Sequence, residues 1–140
     1  MSDLFNLFNT SASALTAQSA RLNTVSSNLA NANTAAGSAE EAYRGKHVLF
    51  QAAMDQANRD GTATPVRVAG IEESDAPPQM HYEPHHPKAN DDGYIFRPAV
   101  SVVEEMANMM SASRNYEANV EVMDTTRQLM MRTLQMGGQG

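Results

Sequence analysis

Residues 101–136 read SVVEEMANMMSASRNYEANVEVMDTTRQLMMRTLQM, and the rest of the chain is best understood outward from this segment. Its seam positions recur in steps of three and four residues: Val102, Met106, Met109, Ser113, Tyr116, Val120, Met123, Met130 and Leu134, with Arg127 interrupting the series. A 3.5-residue period keeps one narrow seam facing a partner helix, as in a coiled coil. We therefore predict a long helix that packs along another helix.

The residues that flank this segment predict where the helix begins and ends. Ser101 and Glu104 form a capping box, in which each side chain satisfies a free backbone N–H. Glu104 and Glu105 carry negative charge at the positive end of the helix dipole. Since Gly137-Gly138 disfavours continuation, the expected helix has about 35 residues and is roughly 50 Å long.

The N-terminal segment carries the same rhythm at Phe8, Leu15, Leu22, Val25, Leu29 and Ala32, with Ser11 and Gln18 at the remaining positions. Asp3 and Arg21 are its only charged residues as far as Thr34. So few large apolar side chains offset too little of the cost of ordering a helix of this length, which therefore needs neighbours. We predict a helix that begins near Asp3, capped by Ser2 or Asp3, and ends within residues 31–34. In an isolated monomer the two ends of the chain should therefore be mobile and its middle more protected.

The middle of the chain reads as short strands and turns, after a small-residue linker over residues 35–41. The first predicted strand is Val48-Leu49-Phe50 within residues 46–54, although a helix stays possible for this segment. The second is Val66-Arg67-Val68, which is interrupted at Gly70. The other two are Met80 to Tyr82 and Tyr94-Ile95-Phe96. Turns are predicted at Asp60-Gly61 and Asp92-Gly93. The expected fold class is α+β, divided into an N-terminal helix (1–34), a linker with a small β-rich domain (35–97) and a C-terminal helix (98–140).

Composition excludes several classes of function. The formal charge is −6 and the ten Lys and Arg residues are scattered, so nucleic acid is not an expected partner. There is no Cys, which excludes thiol catalysis, and no apolar run long enough to span a membrane. The N-terminus lacks the features of a secretory signal, so any export is expected to leave it uncleaved.

One cluster could bind metal: His81, His85 and His86, with Glu83, Asp91 and Asp92 nearby. However, His85 and His86 are adjacent and flanked by prolines, so their side chains should not converge on one ion. We interpret the segment as a solvated turn. Because the chain also lacks a phosphate-binding loop, an HExxH motif and a nucleophile elbow, we predict no catalytic residue, metal or cofactor.

Two motifs at the ends of the predicted helices resemble those of a known family. Ser27-Asn28-Leu29-Ala30-Asn31-Ala32-Asn33-Thr34 resembles the Asn-rich signature that rod and hook proteins of the bacterial flagellum carry at the end of their first helix. Ala112-Ser113-Arg114-Asn115-Tyr116-Glu117-Ala118-Asn119-Val120 resembles the matching motif in their last helix. Residues 86–95 and 120–136 are most similar to the proximal-rod members of this family.

The resemblance implies a non-catalytic structural subunit of the proximal rod, which transmits torque from the motor toward the hook. Paired terminal helices would line the inner tube, with the small β domain outside it. The implied partners are further copies of the chain, rod proteins of the FlgB, FlgF and FlgG types, a FliE-type adaptor and the flagellar type III export apparatus. The implied location is the basal-body rod where it crosses the periplasm.

We expect the two seams to form the assembly interface, through Leu15, Leu22, Val25, Asn28, Leu29, Asn31, Met106, Met109, Tyr116, Asn119, Val120, Met123, Met130 and Leu134. Tyr116 and Asn119 are expected to dock against Asn28 and Asn31 of the same or an adjacent subunit and fix the helix register. The alternatives are a two-helix coiled-coil adaptor for one regulatory partner and, less favoured, a zinc enzyme centred on the three histidines.

Overall fold

A computed structural model describes residues 2–53 and 64–138 of the chain. The elements follow in the order α1 (Ser2–Asn31), β1 (Lys46–Ala52), β2 (Val66–Glu73), β3 (Gln79–Tyr82), β4 (Tyr94–Arg97) and α2 (Val102–Gly137). Two long terminal helices thus enclose a middle of short antiparallel strands, and the predicted α+β fold is confirmed.

The two helices form an antiparallel pair. The Arg21 guanidinium donates to Oδ1 of Asn108 at 3.2 Å, and Nδ2 of Asn28 donates to Oε2 of Glu105 at 3.1 Å. Residue numbers therefore rise along α1 as they fall along α2. Every residue from 131 to 138 is exposed, so none of the described elements covers the last turns of α2.

The caps place the helix ends close to where the sequence predicts them. The Ser101 hydroxyl accepts from the backbone N–H of Glu104 at 3.4 Å, and the Gly138 N–H donates to the Leu134 carbonyl at 3.0 Å. At the other end of the chain, α1 ends at Asn31, within the predicted range. Its first residue is Ser2, one position earlier than the predicted start.

The first strand pair, β1–β2, is antiparallel, with Lys46 opposite Glu73. Residues 46–52 are therefore a strand, and the helical alternative for this segment is wrong. The predicted end of the second strand at Gly70 is also wrong. The register shifts between Leu49 and Phe50, which leaves Ala69 as the extra residue of a bulge, so the strand bends there and continues. Met54 and the predicted turn at Asp60-Gly61 lie outside the described residues.

This strand pair lies along α1 and is fixed to it at two points. The Val66 N–H donates to the Ser13 hydroxyl at 3.1 Å, and the backbone of Lys46 bonds to the Asn28 side chain. Ser13 and Asn28 are about 22 Å apart along the helix axis, and β1 spans about 20 Å. The helix segment and the strand are thus matched in length.

The second strand pair, β3–β4, is closed by a turn that requires glycine. Gly93 has φ of +81°, and a Cβ there would lie 2.9 Å from Cε2 of Tyr82, which confirms the turn predicted at Asp92-Gly93. The rings of Tyr82 and Tyr94 meet edge to face with centroids 5.1 Å apart. Ala36 of the linker forms a bridge to Phe96 through two backbone hydrogen bonds of 2.9 Å.

The apolar core of the described chain is small. Its buried apolar residues are Ala17, Val25, Ala32, Ala36, Ala42, Ile95 and Ala112. Five of these seven are alanines, which bury little area each, so apolar burial within one chain contributes little to holding the elements together.

Candidate assembly surfaces

A hydrogen-bonded polar site lies where the C-terminal part of α1 meets α2 and β1. We call it the Asn28 network. Nδ2 of Asn28 donates to the Lys46 carbonyl at 2.8 Å and to Glu105 Oε2 at 3.1 Å. Oδ1 of Asn28 accepts from the Lys46 N–H and from the Tyr43 hydroxyl, both at 2.9 Å. Since the Tyr43 proton is used in this way, the Ser27 hydroxyl must donate to the Tyr43 oxygen, 3.1 Å away.

This network satisfies Asn28 completely. A neutral amide has two donor hydrogens and can accept twice through its oxygen, and all four capacities are used although Asn28 is only 1% exposed. A buried amide without partners is costly, whereas a satisfied one favours a single arrangement of the elements it joins. The three elements therefore have a defined register at this point.

Glu105 is the acidic member of the network and is only 6% exposed. It borders a cavity of about 380 Å³ that Arg21, Lys46 and His47 also line. Basic side chains thus line the same cavity as this carboxylate, which accepts its hydrogen bond from Asn28. Sequence reasoning assigned Glu105 to the helix dipole alone, and the structure adds this role in joining α2 to α1.

The side of α2 that faces α1 differs from the predicted seam. Its buried residues are Glu105, Ala112 and Thr126. The partly buried Met109, Asn119, Met123 and Met130 continue the same ladder of three- and four-residue steps. Of the predicted seam, Val102, Met106, Tyr116, Val120 and Leu134 are exposed instead. The prediction that all of these residues face one helix partner is therefore wrong for the single chain.

The exposed residues form a second surface, which we call the outer stripe of α2: Val102, Met106, Tyr116, Val120, Met131 and Leu134. Near its middle, a shallow groove of about 650 Å³ runs beside Tyr116 and Val120. Glu117, Glu121 and Asp124 also line that groove. The surface is therefore apolar with an acidic border.

The predicted interface residues of α1 are more buried than the residues of the outer stripe of α2. Val25 and Asn28 are buried, while Leu15, Leu22, Leu29 and Asn31 are partly buried. Docking of Asn119 on Asn28 within one chain is wrong, because Asn28 bonds to Glu105 and Asn119 lies about 21 Å further along α2. Asn119 donates instead to the Asn115 carbonyl at 2.8 Å, and Asn31 to that of Ser27. Docking of Asn119 on an adjacent subunit stays a prediction for Asn31, which is partly buried, whereas the amide of Asn28 is buried and all its donors and acceptors are used.

The histidine segment includes His81 on β3 and His85 and His86 in the turn between β3 and β4. His81 and His85 are exposed, and Nδ1 of His86 accepts from the Lys88 N–H at 3.0 Å. Within residues 2–53 and 64–138, no group of three or more His, Asp or Glu side chains is placed to hold a metal ion.

Sequence reasoning missed Tyr43, Lys46 and Glu105 as partners of Asn28. One signal was present, since Asn is unfavourable inside a helix unless its side chain has a specific partner. The partners themselves could not be found from spacing, because Lys46 and Glu105 are 18 and 77 residues away.

Two family models match this chain at its two ends. The one described as "Flagella basal body rod protein" matches residues 8–35, and the one described as "Flagellar basal body rod FlgEFG protein C-terminal" matches residues 91–136. Both matched ranges contain the motifs quoted above, and together they cover most of the helix pair. The chain belongs to the flagellar basal-body rod protein family.

Individual relatives support a more particular likeness. The chain is 48% identical over 134 residues to the flagellar basal-body rod protein FlgC of Salmonella typhimurium, covering 96% of this chain and 98% of that protein. It is 49% identical over 135 residues to FlgC of Escherichia coli O157:H7, with the same coverage. FlgC of Bacillus subtilis is 38% identical over 146 aligned positions, covering 95% and 97%.

These likenesses establish the class of function. The chain is a structural subunit of the flagellar basal-body rod, which it builds with other rod proteins, and it contributes to motility. The adaptor alternative is not supported. The relatives are structural proteins and not enzymes. In the part of the chain that the structure describes, neither helix is long and apolar enough to cross a membrane.

Proposed function

We propose that this chain is a proximal-rod subunit that joins its neighbours through the outer stripe of α2 and the partly buried apolar residues of α1. Rod proteins of the FlgB, FlgF and FlgG types, further copies of the chain and a FliE-type adaptor are the proposed neighbours. In this role the subunit needs no catalytic residue, metal or cofactor. Its place is the part of the rod that crosses the periplasm.

The observation that carries this proposal is an inversion of the usual helix pattern in α2. A helix of a self-contained protein buries its large apolar residues and exposes its polar ones. In α2 the buried positions are Glu, Ala and Thr, while eleven large apolar residues are exposed. Contiguous exposed apolar surface of this kind marks an interaction site.

The same inversion supports a route of assembly. A chain with a core of mostly alanine gains little from folding alone, so it can pass unfolded through the export apparatus and become ordered as neighbours cover its helices. Residues 1–34 and 98–140 then form the inner tube, and residues 35–97 form its outer part. Closely packed helices resist compression and can therefore transmit torque.

The acidic border of the outer stripe supports one property of the neighbour. Glu117, Glu121 and Asp124 line the groove that also contains Tyr116 and Val120. A surface that covers this groove has to combine apolar side chains with Lys or Arg, because burying three carboxylates without cations is costly.

The test is Val120→Asp on the outer stripe. Val120 is 37% exposed, so we expect the purified variant to keep the helical content of the wild-type chain. In a host that lacks its own copy, the variant should be absent from isolated rods and the cells should not swim. A carboxylate enclosed in a dry helix interface costs several kcal/mol.

Ala118→Asp is the matched control, because Ala118 is exposed on the opposite side of α2 from Val120 and does not line the groove. We expect this control to leave swimming close to normal, since it adds the same charge outside the stripe. Normal rods containing the Val120→Asp subunit would contradict the proposed surface. A Val120→Asp chain without helical signal would also contradict it, by placing Val120 in the fold of the single chain.

A further inference from the structure

The β1–β2 pair is attached to the helices by polar contacts more than by apolar burial. Leu49, Phe50 and Ile71 are all exposed large apolar residues of the pair. Val48, Val66 and Val68 of the pair are only partly buried. A two-stranded sheet alone is marginally stable in water. Its order therefore depends also on the hydrogen bonds at Ser13 and Asn28, which hold its two ends on α1.

The contact at Asn28 differs from the one at Ser13 because it also involves α2, through Glu105. Ser13 contributes a single partly buried hydroxyl, which accepts from Val66. Asn28 bonds to both backbone groups of Lys46 and, through the same amide group, to Glu105 on α2. If α2 moves away, a buried N–H of Asn28 loses its acceptor, and hydrogen bonds that share one group weaken together.

We propose that Asn28 is the positioning residue that makes the order of the β1–β2 pair conditional on the pairing of α1 with α2. Its amide bonds α2 and β1 at once, so the strand pair becomes fixed only when both helices are in place. The inference concerns the single chain and holds whichever neighbours cover the outer stripe.

The experiment is hydrogen exchange on the full-length chain with Asn28→Asp, Glu105→Gln and the double variant. Asn28→Asp replaces the donor with a carboxylate oxygen facing the Lys46 carbonyl and the Glu105 carboxylate. We expect exchange of the β1 and β2 amides to become roughly 10- to 100-fold faster, the effect of leaving buried polar groups unsatisfied. The amides of α2 should change less.

Glu105→Gln alone should change exchange by less than about threefold, because its amide oxygen can still accept from Asn28. In the double variant, its amide nitrogen can donate to the introduced carboxylate, so exchange of the β1 and β2 amides should slow again by about tenfold relative to Asn28→Asp. The matched control is Asn31→Asp, one turn along the same helix, whose amide bonds only locally to the Ser27 carbonyl. It should leave the strand pair unchanged.

Each outcome decides the proposal. Faster exchange in the strands with recovery in the double variant supports it, including the case where Asn28→Asp unfolds the chain and Glu105→Gln restores it. Unchanged strand exchange in Asn28→Asp would overturn it. A double variant no better than Asn28→Asp, or an Asn31→Asp control with the same effect, would overturn it as well.

Discussion

The two ends of the helix pair are built on different principles. At the end where the chain enters β1, the Asn28 network joins α1, α2 and the first strand through buried and fully satisfied polar groups. At the other end, α2 exposes Val120, Met131 and Leu134 and continues uncovered to its last turn. The first end therefore has a polar network complete within the single chain, beside which Val102 and Met106 of the outer stripe are exposed, whereas at the second end the exposed apolar surface predominates.

This difference shows how one chain can hold a defined shape and still depend on its neighbours. Satisfied polar contacts specify an arrangement without contributing much net stability, whereas apolar burial contributes stability with little specificity. The polar end can therefore fix the relative placement of the elements. The apolar end leaves most of the available burial to the assembled rod, as we propose.

The largest expected effect is at the apolar end, with Asn119→Leu. Asn119 bonds only locally to the Asn115 carbonyl in the single chain, so the isolated variant should be as helical as the wild type. If Asn119 fixes register against Asn31 of an adjacent subunit, the variant should give misassembled rods and non-swimming cells.

Electron microscopy of isolated basal bodies and a swimming assay measure this effect. Asn115→Leu is a useful control, because it changes an exposed Asn one turn earlier on the same helix. Normal rods with Asn119→Leu would contradict the register role and leave Asn119 as an ordinary surface residue.

Periodicity predicted both helices and their ends, because the spacing of apolar residues and the Ser101 and Gly138 caps act locally. It did not predict which side of α2 faces α1. Hydrophobic spacing marks the largest side chains, whereas the inner side buries Ala112 and Thr126, which let two helices approach closely. A pattern read from one chain does not separate surface buried within the subunit from surface that neighbours cover.

Local sequence also predicted the strands and the turn at Gly93, but it placed the end of β2 wrongly at Gly70. Gly93 occupies a turn that needs a positive φ, so its Asp-Gly signal was sufficient. Gly70 lies beside a bulge, where the partner strand maintains pairing that local sequence does not encode. The partners of Asn28 could not be predicted, because they lie 18 and 77 residues away and come together only in the folded chain.

An intermediate effect is expected at the polar end, where two adjacent residues of α2 can be compared. Glu105→Ala removes the acceptor of a buried Asn28 N–H and should lower the free energy of unfolding of the isolated chain by about 1–3 kcal/mol. Met106→Ala changes a residue of the outer stripe and should lower it by less than about 0.5 kcal/mol.

Urea unfolding of both purified variants measures this difference. The comparison between the two ends would fail if Met106→Ala were the more destabilising change, since that would place apolar burial at Met106 in the fold of the single chain. Equal losses would remove the special status of the Asn28 network.

The smallest effect is expected outside both ends of the helix pair, in the turn between β3 and β4. His85 is exposed, and His86 accepts one exposed hydrogen bond from the Lys88 N–H. The double change His85→Ala with His86→Ala should therefore alter the free energy of unfolding by less than about 0.5 kcal/mol. It should also leave swimming intact. Asn90→Ala in the same turn is the matched comparison. Oδ1 of Asn90 accepts from the N–H groups of Asp92 and Tyr94 at 3.1 and 2.9 Å, so its loss should cost about 1–2 kcal/mol. A folded histidine variant that fails to swim would give this turn a binding role and add a third region to the comparison.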